Sequence, residues 1–359
     1  MRKRGFYFTL GTVIILSIFI ASPVTAGAKS IKLTACSYVP ESHPASKAIT
    51  WWLDIIEKET KGRLKFDKFY GGALLPGPDT VAGIGKGIAD FGMVSPGYVP
   101  GMFPLSMVGF LPYVTSNPYA FAKARIALYD MFPEKQAEFE KANLHWVMPV
   151  CTAPGYLSVR KPVRTIKDLK GLKIRGYGYA TKAIGLLGAS PAAISFGETF
   201  TALQTGVVDG AIGSSGDIYS QKWYEVAKNL VDIDFGMYIV CVWAFNKNSW
   251  NKLPNDLKKV VEKNVEMYLK KETEFYDRLG TKWLEQSKAI GCDLHMWSDE
   301  EKARAKEMVL EPIFDSWINE IPKYKDLRQK VAKKYRELVS KYEVAGGEVF
   351  NPFAKFLKK

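Results

Sequence analysis

Apolar and polar residues alternate in short runs along the chain, and between these runs the apolar positions recur at helical spacing. Residues 31–36 and 64–70 alternate as half-buried strands do. Between them, apolar side chains recur every three or four residues over 44–60, the spacing of a helix with one buried face. A short helix over 78–86 and a strand over 88–94 follow, so the chain begins as β-α-β-α-β.

A second series of strands and helices follows a loop that is rich in proline and glycine. This loop, 96–112, carries too many large apolar side chains to be a solvated linker, so we expect it to be ordered. Alternation of strands with helices predicts mostly parallel sheets, with a ligand site beyond the carboxyl ends of the strands. The second series has predicted strands over 146–151, 156–160, 172–175 and 237–246, a helical turn over 165–170, and helices over 179–187, over 254–290 and from Ser298 onward. Ser298 and Glu301 form a capping box at the start of the last helical region.

The length and composition are those of a globular protein. The chain has 359 residues, of which 47% are hydrophobic and 24% are charged. At roughly 100–200 residues per domain, this length is enough for about two domains with cores of their own. The composition excludes a disordered, a collagen-like or a multi-span membrane protein. Two α/β domains therefore account for both series of elements.

The first residues have the pattern of a secretory signal peptide. Three basic residues, 2–4, precede an uncharged and mostly apolar stretch over 6–21, and the small residues 23–26 resemble a cleavage site. The apolar stretch is shorter than the roughly 20 residues that span a membrane, which argues against an uncleaved anchor. We therefore expect residues 1–26 to be removed and the mature protein to be exported.

The chain is basic, with a formal net charge of +13. Such an excess favours anions as ligands. It does not indicate a nucleic-acid-binding protein, because the basic residues are dispersed. Their densest run, 328–334, is flanked by Asp326 and Glu337 and is typical of a solvated helix face.

The four cysteines lie far apart in the sequence, and no two form a CxxC pair. Export permits disulfides, but four cysteines allow three pairings and their spacing does not choose among them, so their redox state stays open. His295 lies three residues after Cys292, yet no second cysteine–histidine pair lies near enough to complete a zinc site. We expect the cysteines to be small buried apolar residues and predict no metal site.

Motifs of the common enzyme classes are absent from the sequence. It contains no GxSxG, HExxH, P-loop or EF-hand pattern, and the glycines over 83–87 lack the spacing of a nucleotide-binding loop. No carboxylate stands in an apolar setting that would single it out as a general acid. We therefore expect a protein that is not an enzyme.

Arg175 is the most informative candidate. Thr165 and Asp168 cap a short helical turn, residues 172–175 follow as a strand, and Gly176 leads towards the next helix. Arg175 therefore lies at the carboxyl end of a strand, where helix N–H groups and a guanidinium can meet an anion. The guanidinium of Arg175 can donate two parallel hydrogen bonds, which matches the planar geometry of a carboxylate. A surface arginine at a strand end remains the alternative on these residues alone.

The chain resembles the DctP-type periplasmic solute-binding proteins of TRAP (tripartite ATP-independent periplasmic) transporters over nearly its whole mature length. Each motif of the resemblance is short, but their order along the chain is specific. The motifs are His43-Pro44, Glu59-Thr60-Lys61-Gly62-Arg63-Leu64, Gly87-Ile88-Ala89-Asp90-Phe91, Phe103-Pro104, Leu111-Pro112-Tyr113, Asp168-Leu169-Lys170-Gly171-Leu172-Lys173-Ile174-Arg175, Glu198, Ala202-Leu203-Gln204, Gly206-Val207-Val208-Asp209-Gly210, Trp223-Tyr224-Glu225-Val226, and 246–250 with Leu253-Pro254.

The resemblance implies a two-domain periplasmic binding protein fold of the α/β class, with a ligand cleft between discontinuous domains. Domain I is expected over 29–151 plus 243–290 and domain II over 152–242. Residues 291–359 are expected to form C-terminal helices packed across both domains. Hinge strands near Cys151 and Cys241 would let the cleft close on a ligand.

The same resemblance implies a periplasmic, monomeric protein that captures a small organic anion and delivers it to TRAP permease subunits. A binding protein of an ATP-driven importer, a sensor's partner or an exported enzyme on the same scaffold are the alternatives. No nucleic-acid partner, cofactor, catalytic residue or metal is expected. The ligand-binding residues that the resemblance and their positions predict are Arg175, Tyr177, Phe196, Ser95, Tyr98, Ser214, Tyr156 and Trp243.

Two positions depart from the family pattern. Gly155 stands where many relatives have a second arginine, which weakens the case for a bulky dicarboxylate or a sialic acid. Gly213-Ser214 replaces the Glu-Asn, Gln-Asn or Glu-Trp of many members, which weakens the case for metal-assisted binding of 2-oxoacids. Hydroxyls of Tyr156 and Tyr177 are the expected substitutes for the lost polar contacts.

Overall fold

In the computed structural model, which describes residues 30–345 and 351–357, the strands form two separate sheets. The predicted signal peptide over 1–26 lies outside the described residues. The strands of the described part are β1 Ile31–Cys36, β2 Leu64–Phe69, β3 Phe91–Val94, β4 Leu144–Pro149, β5 Gly155–Val159, β6 Lys173–Gly176, β7 Ser190–Ala193, β8 Gly210–Ser214, β9 Asn229–Asp232, β10 Val242–Asn246 and β11 Asp293–Met296.

Helices cover these sheets and connect most of the strands. They are α1 Pro44–Glu59, α2 Thr80–Gly85, α3 Pro118–Met131, α4 Pro133–Lys141, α5 Ala180–Leu186, α6 Thr199–Gln204, α7 Ser215–Ser220, α8 Trp223–Val226, α9 Lys247–Asn251, α10 Asn255–Lys263, α11 Val265–Ala289, α12 Asp299–Asn319, α13 Lys325–Ala345 and α14 Pro352–Leu357. The ordered loop predicted over 96–112 contains three short 3₁₀ turns, and its large apolar residues are mostly buried.

The two sheets define two lobes. Lobe 1 contains the sheet with the strand order β2-β1-β3-β10-β4, and lobe 2 contains the sheet with the order β11-β9-β5-β8-β6-β7. Paired neighbours run parallel except at β10 and β5, each of which is antiparallel to both of its neighbours. The α/β class is therefore confirmed, with one reversed strand in each mostly parallel sheet.

The reversed strands follow from how the chain passes between the lobes. Residues 150–154 and 233–241 carry the chain directly from β4 into β5 and from β9 into β10, without an intervening helix. Val242, the first residue of β10, pairs with Val94 and Pro149, the last residues of β3 and β4. A strand that begins at the edge where its neighbours end must run in the opposite direction. We call these two segments the crossings.

Two strands are shorter than the sequence pattern predicted, for different reasons. Of the predicted strand 237–246, only β10 pairs in a sheet, because the residues before it span the space between the lobes. Of the predicted strand 88–94, only the part from Phe91 pairs. The carboxylate of Asp90 instead accepts hydrogen bonds from the Thr34 N–H at 2.8 Å and the Ser249 hydroxyl at 2.6 Å.

The C-terminal region packs across both lobes, as predicted. At the start of α12, Glu301 accepts the Ile166 N–H of lobe 2 at 2.8 Å. Near the end of the same helix, the Trp317 indole donates to the Pro104 carbonyl of lobe 1 at 3.2 Å. α13 packs along α3 of lobe 1. One helix thus contacts both lobes at its two ends.

Two details of this region differ from the prediction. Residues 291–359 do not consist of helices alone, because β11 adds an edge strand to the sheet of lobe 2 by pairing with β9. The alternation of apolar and polar residues over 292–296 is the sequence pattern that could have predicted this strand. The capping box at Ser298 is only half formed: Ser298 accepts the Glu301 N–H at 3.2 Å, but the Glu301 carboxylate bonds Ile166 instead.

Two buried ionisable side chains, Arg125 and Glu272, bond the backbone of the crossings. The Arg125 guanidinium, from α3, donates to the Val150 carbonyl at 3.1 Å and to the Cys241 carbonyl at 2.7 Å, one acceptor in each crossing. The Glu272 carboxylate, from α11, accepts the Cys151 N–H at 2.6 Å. Burial raises the pKa of Glu272 to about 8, although the Cys151 N–H and the charge of Arg125 act in the opposite direction. Glu272 is therefore mostly protonated at neutral pH.

All four cysteines lie in the described part of the chain as buried free thiols. Burial raises the pKa of the Cys36 thiol to about 12 and that of the Cys292 thiol to about 11. Because the thiolate is the reactive form, these side chains act as small apolar residues, as expected.

We expect Glu272→Gln to flatten the pH dependence of stability. A carboxyl with a pKa of about 8 in the folded protein and 4.5 in the unfolded chain takes up a proton on folding between these values. Stability then falls as pH rises through this window, by up to about 1.4 kcal/mol per pH unit. Glutamine still accepts the Cys151 N–H but does not titrate. Denaturant unfolding in one-unit steps from about pH 5 to about pH 8 measures the slope.

The matched control is Glu285→Gln, at an exposed position of the same helix. This control should keep the wild-type slope. An equal slope in wild type and Glu272→Gln would contradict a protonated Glu272.

Candidate functional site

The carboxyl ends of strands from both lobes meet between the two sheets. Ser95 follows β3, Tyr177 follows β6 and Ser214 ends β8, and the crossings run beside them. These strand ends surround a cavity of about 30 Å³. A cavity of that size has room for roughly one or two water molecules. It lies where the alternation of strands and helices predicted a ligand site.

The residues that line the cavity come from both lobes and from the crossings, and most of them carry an aromatic ring or a polar group. They are Tyr38, Val39, His43, Ala45, Met93, Tyr98, Val150, Thr152, Arg175, Tyr177, Phe196, Asp217, Tyr238, Ile239, Cys241 and Tyr276.

Arg175 is buried in the wall of the cavity, with 3% of its surface exposed. Its Nε donates to the Ile194 carbonyl at 3.0 Å and its Nη1 to the Ile212 carbonyl at 3.3 Å. The guanidinium carbon lies 5.7 Å from the centre of the Trp223 ring, at cation–π distance. These contacts orient the guanidinium and leave Nη2 without a hydrogen bond to any described residue. The alternative interpretation of Arg175, a surface arginine at a strand end, is therefore wrong.

A chain of hydroxyl and thiol groups lies beside Arg175. The Tyr177 hydroxyl is hydrogen-bonded to the Ser95 hydroxyl, and the Cys241 thiol lies 3.6 Å from Ser95 and 3.0 Å from the Tyr38 hydroxyl. Burial raises the pKa of Tyr38, Tyr177 and Cys241. This part of the site therefore presents neutral groups that can donate and accept hydrogen bonds.

His43 and Asp217 form a buried pair across the cavity. His43 caps α1, because its Nδ1 accepts the Ala45 N–H at 3.2 Å. The proton of the neutral ring therefore lies on Nε2, which is 3.3 Å from Asp217 Oδ1. The other carboxylate oxygen of Asp217 accepts the Ser214 N–H at 2.8 Å. Burial by itself raises the pKa of Asp217, but the bonds from His43 and Ser214 outweigh it and lower the pKa.

The two lobes contact each other at several points beside the cavity. His43 of lobe 1 bonds Asp217 of lobe 2, and Tyr98 of lobe 1 accepts the Phe196 N–H of lobe 2 at 3.0 Å. Gly216 lies so close to lobe 1 that an added Cβ would be 3.0 Å from His43 Nε2 and from Pro44 Cδ. The described arrangement is therefore a closed cleft.

The structure brings most of the predicted site residues together. Arg175, Tyr177, Phe196 and Tyr98 line the cavity, and Ser95 bonds Tyr177 directly behind the wall. Ser214 is near the cavity but does not line it. Its hydroxyl accepts the Asp217 N–H at 3.2 Å and so caps α7.

Tyr156 and Trp243 were predicted to bind ligand, and the structure places both in the core instead. Tyr156 stacks on Phe353 of α14, with ring centres 5.0 Å apart, because the C-terminal helix covers that face of β5. Trp243 stacks on Phe91 at 5.7 Å, and its indole donates to the Tyr268 hydroxyl at 2.6 Å. The strand positions of both residues turn their rings away from the cleft.

Sequence reasoning missed several polar residues of the cavity, among them His43, Thr152, Asp217 and Tyr276. His43 caps the start of α1 and also lines the cavity. Asp217 follows the end of β8, and a polar residue just after a strand could have been predicted to lie at the site. Thr152 lies in a crossing and Tyr276 in the middle of α11. No local sequence pattern marks Thr152 or Tyr276 as a site residue, because only the docking of the two lobes brings their elements to the cavity.

The two glycines that depart from the family pattern have a steric cause. A Cβ at Gly155 would lie 2.8 Å from Tyr238 and 3.0 Å from Phe235. A Cβ at Gly213 would lie 2.3 Å from Trp223, the ring below Arg175. Aromatic side chains fill the space that a longer residue would need at either position.

Two lobes joined by crossings, with a closed cavity that holds a buried and partly unpaired guanidinium, define a solute-binding protein of the periplasmic type. The chain belongs to the bacterial extracellular solute-binding proteins of family 7, the DctP family, whose model matches residues 35–320. The resemblance found in the sequence motifs is thereby confirmed.

Solved structures of similar proteins agree with this assignment. A TRAP periplasmic solute-binding protein from Desulfovibrio salexigens, solved as an open complex, is 28% identical, covers 88% of this chain and 97% of its own, and has a TM-score of 0.73. A TRAP solute-binding protein from Rhodoferax ferrireducens with copurified benzoate is 22% identical, covers 89% of this chain and 100% of its own, and has a TM-score of 0.82.

A third structure is that of a marine metagenome protein, from an unidentified microbe, that is specific for aromatic acids and was solved with metahydroxyphenylacetate. It is 23% identical, covers 87% of this chain and 99% of its own, and has a TM-score of 0.80. At the identities of these last two proteins, the likeness establishes the shared fold alone.

No helix within 30–345 or 351–357 is long and apolar enough to cross a membrane. In the same part of the chain, no three histidine, cysteine, aspartate or glutamate side chains are grouped so as to hold a metal ion.

We expect the lobes to separate in solution, because a cavity of about 30 Å³ admits nothing larger than water. Spin labels on cysteines introduced at Lys47 of α1 and Glu225 of α8, both exposed, would report the distance between the lobes. The buried native thiols should not take the label. We expect two populations of distances, the shorter one matching the closed cleft.

The control pair is Lys161 and Glu225, both exposed and both in lobe 2, which should give one distance. A single short distance for the pair across the lobes would mean that the cleft does not open.

Proposed function

We propose that this protein is a periplasmic solute-binding protein that captures a small organic anion by its carboxylate and delivers it to a TRAP-type permease. The observation that carries the proposal is the buried guanidinium of Arg175, with Nη2 unbonded to described residues, in a cavity between two lobes. A carboxylate that enters the cleft finds a cation already oriented to receive it. The family to which the chain belongs supports the role in solute capture.

The setting of Arg175 suits a carboxylate in particular. Backbone carbonyls rather than a carboxylate hold Nε and Nη1, so no acidic side chain of the described residues neutralises the guanidinium by a direct ion pair. In a closed cleft, salt and water screen the charge less than they do at a surface. A ligand carboxylate can therefore supply the missing negative charge through charge-assisted hydrogen bonds.

The ligands of similar proteins are consistent with this chemistry. The protein from Rhodoferax ferrireducens copurified with benzoate, and the marine metagenome protein binds metahydroxyphenylacetate. Each of these ligands has one carboxylate. We infer that this chain binds an organic acid as well.

The cavity favours binding over catalysis. Its phenols and its thiol have pKa values raised by burial, which makes them poor nucleophiles. The Nδ1 of His43 is occupied as a helix cap and its Nε2 points to Asp217, so the imidazole is not placed as a base for a hydroxyl or thiol nucleophile. We therefore assign no catalytic step to this site.

We expect Arg175→Ala to lose most of the affinity for organic acids. Truncating one partner of a buried charge pair costs about 2–5 kcal/mol, or roughly 30-fold to several thousand-fold in affinity. Arg175→Lys should restore part of this, because an ammonium keeps the charge but loses the planar pair of donors. A thermal-shift screen of the wild type against mono- and dicarboxylates, sulfonates and aromatic acids finds the acid, and calorimetric titration then measures its affinity for each variant.

The matched control for this experiment is Arg160→Ala, an exposed arginine of the same lobe, which should bind like the wild type. Near-wild-type affinity in Arg175→Ala would refute the assigned role. A collapsed melting temperature of the unliganded Arg175→Ala protein would indicate a structural role instead.

We expect export to remove residues 1–26, as the basic start, the apolar stretch and the small-residue site of the sequence predict. Amino-terminal sequencing of the protein recovered from the periplasmic fraction should begin at or near residue 27. An intact Met1 in that fraction would contradict cleavage.

A further inference from the structure

We propose that the ligand of this cavity is a monocarboxylic acid that carries a hydroxyl group, and that Thr152 and Tyr276 recognise this hydroxyl. The inference rests on the proposed function, in which Arg175 takes the carboxylate, and it narrows that function to one class of acid.

The charges around the cavity allow one ligand carboxylate but not two. Among the described residues that line the cavity, Arg175 and Asp217 carry full charges of opposite sign. His43 offers no free donor to a second carboxylate, because its Nδ1 accepts the Ala45 N–H and its Nε2 faces Asp217. A first carboxylate pairs with Arg175. A second one would share a small, poorly screened space with Asp217 and would find no cation there.

The walls leave no room for a second cationic side chain. Tyr238 closes the space at Gly155, and Trp223 closes the space at Gly213. Asp217 is also not free to bind a ligand ammonium in place of a hydroxyl. Its two oxygens already accept hydrogen bonds from His43 and from the Ser214 N–H. The charge balance of the cavity is therefore set by residues that cannot readily move.

Three hydroxyls of the cavity, those of Thr152, Tyr238 and Tyr276, have no hydrogen bond to a described residue, and the hydroxyl oxygens of Thr152 and Tyr276 are also fully buried. Thr152 and Tyr276 line it and are 3% and 5% exposed, yet neither Thr152 Oγ1 nor the Tyr276 hydroxyl has a hydrogen-bond partner among the described residues. The hydroxyls of Tyr38, Tyr98 and Tyr177, in the same walls, are all bonded.

A buried hydroxyl without a partner costs free energy, and a ligand group that bonds it recovers that cost. A ligand hydroxyl is the matching group, because it can donate to one of these oxygens and accept from the other. Thr152 lies in a crossing and Tyr276 on α11, so the two hydroxyls reach the cavity from different elements of the fold.

The first experiment compares acids that differ in one substituent. One set is 3-hydroxybenzoate, benzoate and isophthalate, in which the same ring position carries a hydroxyl, a hydrogen or a second carboxylate. The other set is 3-hydroxybutyrate, butyrate, methylsuccinate and 3-aminobutyrate. In at least one set, calorimetric titration of the wild-type protein should give the hydroxy acid at least about tenfold higher affinity than its relatives, as expected when a hydrogen-bonding site rejects analogues without the hydroxyl.

The second experiment removes the two hydroxyls with little change of shape. Thr152→Val and Tyr276→Phe should each weaken binding of the hydroxy acid by at least about fivefold and leave the unsubstituted acid within about twofold. Tyr335→Phe is the matched control, because the Tyr335 hydroxyl is also buried and unpartnered among the described residues but lies outside the cavity. This control should change neither affinity. Asp217→Asn should reduce the ratio of the affinity for the hydroxy acid to the affinity for the dicarboxylate.

Several results would overturn the inference. One is a dicarboxylate, an amino acid or an unsubstituted acid that binds as tightly as the hydroxy acid in both sets. Another is binding of neither hydroxy acid. A third is equal weakening of hydroxy and unsubstituted acids in Thr152→Val and Tyr276→Phe, which would show a structural role. The proposed function is judged separately: it stands if any organic acid binds in a manner that depends on Arg175, and it fails if none does.

Discussion

The crossings are the constraint on which the rest of the structure depends. In each lobe the parallel strands end at the edge that faces the other lobe, and the chain can pass between the sheets only along that edge. Arg125 donates to the Val150 and Cys241 carbonyls and so ties the two crossings together at buried backbone groups. The Val150 N–H donates to the Cys241 carbonyl at 2.9 Å. The crossings therefore also form part of the wall of the cavity, through Val150, Thr152 and Cys241.

This arrangement explains how one buried cation can serve a ligand without being neutralised by the protein. Arg175 stands at the end of β6, where Ile194 and Ile212 offer carbonyls and Trp223 offers an aromatic face. Partial negative charges of this kind orient a guanidinium and stabilise it in part, but they do not cancel its charge. The acidic side chain of the same cavity, Asp217, is committed to His43 and Ser214. The separation of the two charges underlies the proposed binding of a single carboxylate.

Much of the fold was predictable because local periodicity reports burial. The alternation over 31–36 and the helical spacing over 44–60 each gave an element with nearly the observed bounds, β1 and α1. The strand 237–246 was predicted too long and β11 was missed. In both cases, whether a residue pairs in a sheet depends on the neighbouring strand and not on its own sequence. The reversed directions of β5 and β10 likewise follow from the crossings, which leave no mark in local periodicity.

For the site, the sequence by itself determined the residues that come directly after strands. Arg175 and Tyr177 could be placed because the carboxyl ends of parallel strands meet at one edge, and the sequence pattern locates those ends. The family resemblance added Tyr98. Tyr156 and Trp243 carry equally suitable rings at strand positions, yet Phe353 and Phe91 cover them. Thr152 and Tyr276 reach the cavity from a crossing and from a long helix. Only the tertiary structure decided these four positions, because the direction in which a side chain points into a cleft is set by the docking of two lobes, and residues far apart in the chain determine that docking.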